Sequence, residues 1–312
     1  MKIDVFSHIM PPKYNEALQK KVKKGTDWEN MAHWIQTQPS LSDLDVRFRF
    51  MDRHPEVIQV LTVALPPLES SIVTPKDAVD LAMMANDEMC ELVLKYPNRF
   101  IAAVACLPMN DIDAAIKEAD RAITQLHCRG VQIFTNIDGE PLDSPKLRPL
   151  YERMAYHDFP MWIHPWGVGM TAANVPTTPY NWLIETSCAM VRLANSGIFE
   201  DYPDIKFITH HCGGGLVPFY EQRVRIPNLH KFYNDTAVYG STPALMCGYA
   251  FFGADKILFG TDAPLGTSWP KRRTGYGYTL ETVRSIERME ISDIDKDKIF
   301  FDNARKLLEL AV

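Results

Sequence analysis

The chain has 312 residues, of which 46% are hydrophobic and 23% are charged, a composition typical of one large globular domain. Its net charge is -6 and its pI is about 5.9, so the composition argues against a basic surface for nucleic acid or for anionic lipid. The N-terminal stretch MKIDVFSHIMPP is too short and polar for a signal peptide, and no run has the length of a membrane span. The six cysteines include no CxxC pair, which argues against a disulfide framework or a thiolate zinc site. We therefore expect a cytoplasmic protein without a nucleic acid or membrane partner.

Short apolar runs alternate with segments of helical spacing along the whole chain. The runs predict eight strands, at Lys2–Phe6, Val57–Ala64, Phe100–Leu107, Gly130–Phe134, Pro160–His164, Ile205–His210, Phe232–Asp235 and within Lys256–Leu265. The intervening segments predict helices at Ser42–Arg53, Pro75–Tyr96, Ile112–Leu126, Ser144–His157, Asn181–Ser196, Leu216–Leu229, Thr242–Phe252, Thr279–Met289 and Asp302–Leu310. Residues 11–40, which include Trp28, His33 and Trp34, are predicted to form an inserted loop with some helix.

This alternation of strands and helices indicates a parallel sheet, because a crossover helix is needed between parallel neighbours. Eight such units in 312 residues fit a closed barrel better than an open sheet. No linker or change in composition divides the chain. The sequence therefore predicts the α/β class, with a single-domain (β/α)8 TIM barrel over residues 1–312.

Imidazole and carboxylate side chains follow several of the predicted strands, where a TIM barrel places its active site. These strand-end residues are His8, His164, His210, His211, Asp235 and Asp262. They include four of the nine histidines, and this donor set suits a divalent ion such as Zn²⁺, with carboxylate favouring Mn²⁺ or Fe²⁺. Since neighbours in a strand face opposite sides, only one of His210 and His211 should enter the site. We assign His211, which is nearer the strand end.

Four stretches resemble a known family when they are taken in this order and spacing. They are Val131–Ile133 through His164-Pro165-Trp166, Gly197–Phe199 through His211 and its glycines, Lys256–Pro264 with its Gly-Thr-Asp, and Asn303-Ala304-Arg305. Together they resemble the amidohydrolase superfamily, in the branch of aminocarboxymuconate-semialdehyde decarboxylase and γ-resorcylate decarboxylase. The resemblance covers nearly the whole chain and implies a metal-dependent enzyme that forms homo-oligomers, as dimers or tetramers.

The resemblance also implies roles for individual residues. His8, His164 and Asp262 would bind one divalent metal, with Zn²⁺ preferred over Mn²⁺. His211 would be the residue beside the metal that acts as general base or orients the attacking water, and it would share proton transfer with Asp262.

Substrate binding is implied for three further residues. Arg47 or Arg49 would hold the substrate carboxylate, because a guanidinium matches a carboxylate with two hydrogen bonds, although a solvated helix face is an equal alternative for each. Trp166 would line the pocket, with core packing or a subunit interface as alternatives.

One departure from the family concerns the first strand, where the usual pattern is His-x-His or Glu-x-His. Here Phe6-Ser7-His8 stands instead, and a phenyl ring cannot bind a metal. Three explanations remain open: the metal persists on fewer ligands with His211 or water completing its shell, Asp4 on the same strand face compensates, or the metal is lost. A second departure is one extra residue between His211 and Pro218, which leaves the choice between His210 and His211 open.

The leading hypothesis is a metal-dependent lyase that decarboxylates a small aromatic or unsaturated carboxylic acid without oxidation. Activation of water at the same site, for hydrolysis of an ester, lactone or C–C bond or for hydration, is an alternative. A degenerate, metal-free barrel is the third hypothesis, because of Phe6.

Overall fold

The computed structural model describes residues 1–23, 35, 38–63, 65–70, 72–166, 178–220, 223, 225–265 and 278–312. Its strands are β1 Lys2–Ile9, β2 Val57–Val63, β3 Phe100–Ala103, β4 Ala105–Cys106, β5 Val131–Phe134, β6 Asn136–Ile137, β7 Glu140–Pro141, β8 Met161–His164, β9 Phe207–Thr209, β10 Tyr233–Asp235 and β11 Ile257–Leu258. Its helices are α1 Pro12–Lys21, α2 Leu44–Met51, α3 Pro75–Lys95, α4 Ile112–Thr124, α5 Arg148–His157, α6 Thr178–Asn195, α7 Ile198–Asp201, α8 Leu216–Phe219, α9 Thr242–Phe252, α10 Thr279–Glu287, α11 Asp293–Asp297 and α12 Asn303–Leu307.

The parallel strands close into a barrel through two seams. One sheet has the order β1-β2-β3 and the other the order β11-β10-β9-β8-β5-β4. Strands β3 and β4 are consecutive pieces of one strand, separated by Val104, whose N–H donates a 2.9 Å bond to a carbonyl of β2. At the other seam, Val5 donates to the carbonyl of Phe259 at 2.9 Å and His8 to that of Ala263 at 2.6 Å. The predicted (β/α)8 barrel is therefore confirmed, with β6 and β7 forming a separate antiparallel hairpin.

An apolar layer fills the lower part of the barrel. It consists of Ile3, Val5, Val60, Ala102, Val104, Trp162, Ile208 and Leu258, and the C-terminal residues Ala304, Leu307, Leu308 and Leu310 pack against it. The indole N–H of Trp162 donates to the carbonyl of Val5 at 3.0 Å, which satisfies the only polar atom of this large side chain. The predicted site residues lie at the opposite end of the barrel, where the strands finish.

A bulge in β1 changes which residues of this strand face the barrel interior. The register of β1 against β2 shifts between Asp4 and Ser7, so one extra residue is accommodated there. Val5 lies in the apolar layer, whereas Phe6 and His8 both contact the histidines at the top of the barrel. Asp4 consequently does not share the inward face of Phe6 and His8, in contrast to the expectation from strict alternation.

The first part of the segment 11–40, predicted as an inserted loop with some helix, forms helix α1. Helix α1 begins at Pro12, a residue suited to the first helical position. The Glu88 carboxylate of α3 accepts hydrogen bonds from the N–H groups of Lys13 and Tyr14, at 3.0 and 2.9 Å, and so satisfies two donors of the first turn. This stabilisation comes from a residue 74 or 75 positions away, which local sequence does not reveal. The predicted aromatic residues Trp28, His33 and Trp34 lie outside the described residues.

The predicted helix Leu216–Leu229 is also shorter in the structure. Helix α8 ends at Phe219, and the chain beyond it has positive φ angles at Arg225 and Asn228, 40° and 70°. Pro227 between them further excludes a regular helix. In the described part of the chain, none of the helices is long and apolar enough to cross a membrane.

Candidate active site

Two imidazole rings meet at the ends of β1 and β8. The Thr62 hydroxyl donates to the Ser7 carbonyl and accepts from Nδ1 of His8 at 3.1 Å, while Nδ1 of His164 donates to the Pro165 carbonyl at 2.7 Å. The Nε2 atoms of the two rings face each other at 3.3 Å. Burial first, and then the neighbouring imidazoles, keep the pKa of His164 well below its usual value. Two imidazole nitrogens at this distance can share a proton or bind one cation.

Asp262 supplies the carboxylate beside this pair. Its Oδ1 lies 3.1 Å from Nε2 of His8, and its Oδ2 accepts a 2.7 Å hydrogen bond from the Tyr239 hydroxyl. The backbone has a φ of 62° at Asp262, and its N–H donates to the Phe6 carbonyl, which fixes the turn after β11. Burial acts to raise the pKa of Asp262, but contacts with His211 and His8 outweigh it and lower the pKa. Asp262 is therefore an ionised ligand or base near neutral pH.

Phe6 occupies the centre of the site. Its fully buried ring stacks on His210 with a centroid distance of 3.5 Å and an interplanar angle of 15°. Its ring centroid is 4.6 Å from that of His8, and 5.7 Å from those of His164 and His211. A phenyl ring thus stands among four imidazoles, at the first-strand position where the resemblance implies a metal ligand.

His210 is held by a carboxylate at the end of β10. Its Nδ1 donates to Oδ2 of Asp235 at 2.7 Å, and Oδ1 of Asp235 accepts from the N–H groups of His211 and Ala237, both at 2.9 Å. Burial lowers the pKa of His210, even though Asp235 acts in the opposite direction. Its Nε2 is buried and has no hydrogen-bond partner among the described residues.

His211 faces a cavity rather than the stack on Phe6. Its backbone φ is 56°, and neither ring nitrogen has a hydrogen-bond partner within the described ranges. Its Nε2 is 3.8 Å from Oδ2 of Asp262, too long for a hydrogen bond, and the Trp182 ring is nearly parallel to it at 7° and 6.3 Å. Burial acts to lower the pKa of His211, but the Asp262 carboxylate more than offsets it, so the pKa is raised. This geometry supports the choice of His211 over His210 as the acid–base group, which stays a prediction.

The glycines after His211 allow the loop to pack tightly against its neighbours. Gly213 and Gly214 have φ angles of 66° and 69°. A Cβ atom would lie 2.8 Å from Oδ1 of Asn234 at Gly213, and 2.4 Å from the Leu183 carbonyl oxygen at Gly214. Any larger residue would force this loop, and with it His211, to move.

The metal implied by the resemblance can be tested against these donors. In a tetrahedral zinc site with bonds of about 2.0–2.1 Å, neighbouring donor atoms are about 3.3 Å apart. The His8–His164 separation of 3.3 Å and the His8–Asp262 separation of 3.1 Å match this value. However, no group of three or more His, Cys, Asp or Glu side chains in the described part of the chain has the arrangement of a complete metal site. The donor chemistry and two spacings therefore fit a divalent ion, while the full ligand arrangement is not formed.

Asp4 does not offer a replacement ligand. Its carboxylate accepts from the N–H and hydroxyl of Thr261 at 3.0 and 2.5 Å, from the N–H of Phe6 at 3.1 Å and from the Ser7 hydroxyl at 3.4 Å. Burial raises the pKa of Asp4 to about 7. The role of Asp4 is thus to join β1 to the end of β11, and we do not assign it to the metal.

The predicted arginines lie away from the cavity lining. The guanidinium of Arg47 is buried and donates to Oε1 of Gln59 at 3.2 and 2.8 Å and to the His8 carbonyl at 2.6 Å. These contacts fasten α2 to β1 and β2, so Arg47 acts as a support for the His8 strand end. Arg49 is exposed on α2. Neither side chain is among the described residues that line the cavity beside His211, and the prediction that one of them binds substrate stays a prediction.

Trp166 is half-buried beside the site. Its backbone N–H donates to the Thr135 hydroxyl at 3.3 Å and to Oε2 of Glu185 at 3.2 Å. Its ring lies 6.2 Å from the ring of Phe134, which in turn is 5.4 Å from the His164 ring. The structure therefore places Trp166 one ring away from the predicted metal ligand but not in the lining of the cavity beside His211, and its role in substrate binding stays a prediction.

A cavity of about 340 Å³ opens beside His211. It is lined by Trp182, Leu183, His211, Gly215, Ala237, Val238, Tyr239, Ser241 and Ala244. Its size is at the lower end of the range for small-molecule sites, and apolar groups dominate its walls. It therefore suits a ligand of about one aromatic ring.

The comparisons with known proteins decide the family. A sequence profile described as Amidohydrolase matches residues 3–310. The chain belongs to the amidohydrolase family. This amidohydrolase is 28% identical to 2-amino-3-carboxymuconate-6-semialdehyde decarboxylase of Dictyostelium discoideum, with 99% of the chain and 92% of that protein covered. It is 29% identical to gamma-resorcylate decarboxylase of Polaromonas, with 89% and 91% covered.

A solved structure extends this likeness to a metal-containing protein. A dihydroxybenzoic acid decarboxylase from Polaromonas, with bound manganese and the inhibitor 2-nitroresorcinol, matches with a TM-score of 0.76 and 25% identity. The match covers 99% of this amidohydrolase and 96% of that chain. The predicted family and branch are therefore confirmed.

Sequence reasoning missed two residues of the site in this amidohydrolase. Tyr239 contacts Asp262 and lines the cavity, and Trp182 packs parallel to His211. Tyr239 lies four residues beyond the end of β10, in the part of the barrel where active sites form, and this position was the available signal. Trp182 lies in α6 and carried no comparable signal, because an aromatic residue in a helix is usually part of the core.

Proposed function

We propose that the protein is a metal-dependent lyase that removes CO₂ from a small carboxylic acid with an aromatic or unsaturated carbon skeleton. The observation that carries this proposal is the unpaired His211 ring, which faces a one-ring cavity next to Asp262. The named decarboxylases among the relatives supply the reaction type.

His8, His164 and Asp262 would hold the metal ion. When bound, the ion supplies a Lewis acid that binds the substrate carboxylate and stabilises negative charge as the C–C bond breaks. Manganese in the Polaromonas structure supports a divalent ion, and the preference for zinc stays a prediction. Phe6 leaves one protein ligand fewer than the family pattern, so we expect a readily exchangeable ion.

The chain's own groups provide orientation and the proton. Trp182 and Tyr239 form walls of the cavity and hold a planar ring beside His211. As the bond to the carboxylate carbon breaks, its electron pair stays on the ring carbon, CO₂ leaves, and that carbon takes a proton from Nε2 of His211. The raised pKa of His211 favours the protonated form that this step needs.

The test is CO₂ release from a panel of hydroxybenzoic and unsaturated acids, with Mn²⁺ and with Zn²⁺. We expect one CO₂ per molecule of acid consumed. The kcat of His211→Gln should fall about a hundredfold or more, because general acid catalysis accelerates reactions by at least about that factor. His230→Gln is the matched control, because His230 packs on Phe251 away from the cavity. Incorporation of ¹⁸O from water without CO₂ would instead establish hydrolysis or hydration. The cytoplasmic location and the homo-oligomer stay predictions.

A further inference from the structure

Two donors of the site compete for one oxygen of Asp262. The Tyr239 hydroxyl donates to Oδ2 at 2.7 Å, while Nε2 of His211 lies 3.8 Å from the same atom. The other oxygen, Oδ1, is directed to Nε2 of His8 at 3.1 Å. Asp262 therefore makes its two short contacts with His8 and Tyr239, and its contact with the acid–base neighbour His211 is longer than a hydrogen bond.

Tyr239 is held firmly where it makes this contact. Its backbone φ is 53°, a left-handed conformation that is uncommon for a bulky residue. Its ring packs on that of Tyr278 at 4.2 Å, and its ring centroid is 6.2 Å from that of His211.

The consequence of the contact is seen at His211. Both ring nitrogens of His211 lack a partner in the described part of the chain, although an ionised carboxylate is only 3.8 Å from Nε2. A charge-assisted hydrogen bond between the two would be strong. The Tyr239 hydroxyl already donates to Oδ2 and neutralises part of its negative charge, which makes a second hydrogen bond to that oxygen less favourable.

We infer that Tyr239 is a positioning residue, which holds Oδ2 of Asp262 and thereby keeps the His211 ring available to the substrate in the cavity. This inference deepens the proposed function and rests on it for its catalytic part. Without the hydroxyl, His211 pairs with Asp262 and turns away from the carbon that it must protonate.

The decisive variant is Tyr239→Phe, which removes the hydroxyl and keeps the ring. Tyr151→Phe is the matched control, because the buried Tyr151 hydroxyl also makes one short hydrogen bond, of 2.6 Å to the Leu142 carbonyl, and lies outside the cavity lining. Tyr151→Phe loses its hydrogen bond without a replacement, whereas Tyr239→Phe exchanges the lost bond for one from His211 to Asp262, so both variants should stay folded at the assay temperature.

Only Tyr239→Phe should change catalysis. We expect its kcat to fall about tenfold to a hundredfold, the range of a hydrogen bond to a charged group, with KM within about threefold of the parent. Equal kcat values for Tyr239→Phe and Tyr151→Phe, or a loss that lies wholly in KM, would overturn the inference.

A second readout does not need any activity. In protein labelled with ¹⁵N-histidine, the His211 signals are identified by their absence from the spectrum of His211→Gln. In Tyr239→Phe we expect the Nε2 proton of His211 to shift downfield and to exchange more slowly, as it becomes bonded to Asp262. An unchanged His211 signal would overturn the inference. If the parent decarboxylates no acid but the shift appears, the proposed function fails while the positioning role of Tyr239 stands.

Discussion

Restoring a ligand at Phe6 tests the most unusual feature of the site. Phe6→His places an imidazole among the four histidines, in the position of the family's first-strand ligand. Without metal, the variant loses the stack on His210 at 3.5 Å, worth about 0.5–1.5 kcal/mol, and buries an unpaired nitrogen at a cost of about 1–3 kcal/mol. Together these effects cost about 1.5–4.5 kcal/mol, which lowers the melting temperature by about 3–9 °C if each kcal/mol corresponds to about 2 °C.

Metal should reverse much of this loss. An ion whose concentration is about a hundred times its dissociation constant stabilises the folded state by about 2.7 kcal/mol. Mn²⁺ at that concentration should therefore raise the melting temperature of Phe6→His by about 5 °C. Phe6→Leu is the control, because it removes the same ring without adding a ligand. The assay is thermal denaturation of parent, Phe6→His and Phe6→Leu after chelation and again with Mn²⁺. Equal responses of Phe6→His and Phe6→Leu to Mn²⁺ would refute our account of this position.

Two further predictions concern side chains outside the cavity. Arg47→Lys should lower the free energy of unfolding, measured by urea denaturation, by about 1–3 kcal/mol, because a lysine cannot replace the three hydrogen bonds of the guanidinium. Arg49→Lys, at an exposed position, should change it by less than about 0.5 kcal/mol. Similar values for both variants would show that Arg47 is not a structural support. Burial raises the pKa of Glu69 from 4.5 to about 8, so its contribution to stability is present below about pH 4.5 and is lost as the pH rises to about 8. Between these pH values the free energy of unfolding of Glu69→Gln should therefore fall less than that of the parent, while Glu290→Gln, at an exposed position, should behave as the parent does. Parallel plots of the free energy of unfolding against pH for all three proteins would contradict the raised pKa of Glu69.

The strand ends were predictable because their residue types carry chemistry. His8, His164 and Asp262 each follow an apolar run. Closure of the barrel brings Nε2 of His8 to 3.3 Å from Nε2 of His164 and to 3.1 Å from Oδ1 of Asp262. Alternation along a strand predicted that only one of His210 and His211 enters the site, and the choice of His211 rested on its place nearer the strand end. In the structure the reason is different, because β9 ends at Thr209 and the positive φ of His211 turns its side chain into the cavity.

The features that sequence could not provide depend on contacts between distant segments. The bulge in β1 is visible only in its pairing with β2, and without it Asp4 counts as an inward-facing residue. The burial of Arg47 depends on Gln59 and on the His8 carbonyl, neither of which is in α2. Helix α1 similarly depends on Glu88. In each case the decisive partner lies on another element, and local pattern cannot identify it.

The cavity beside His211 also has a thermodynamic consequence. A space of about 340 Å³ between apolar walls has room for several water molecules, and these walls offer them few hydrogen bonds. A ligand with one flat ring would release this water and bury the faces of Trp182 and Tyr239. Such an exchange gives binding a negative heat-capacity change, so the affinity for aromatic ligands should draw more on enthalpy as the temperature rises. The solvent expelled from the cavity is therefore as much a part of recognition as the side chains that line it.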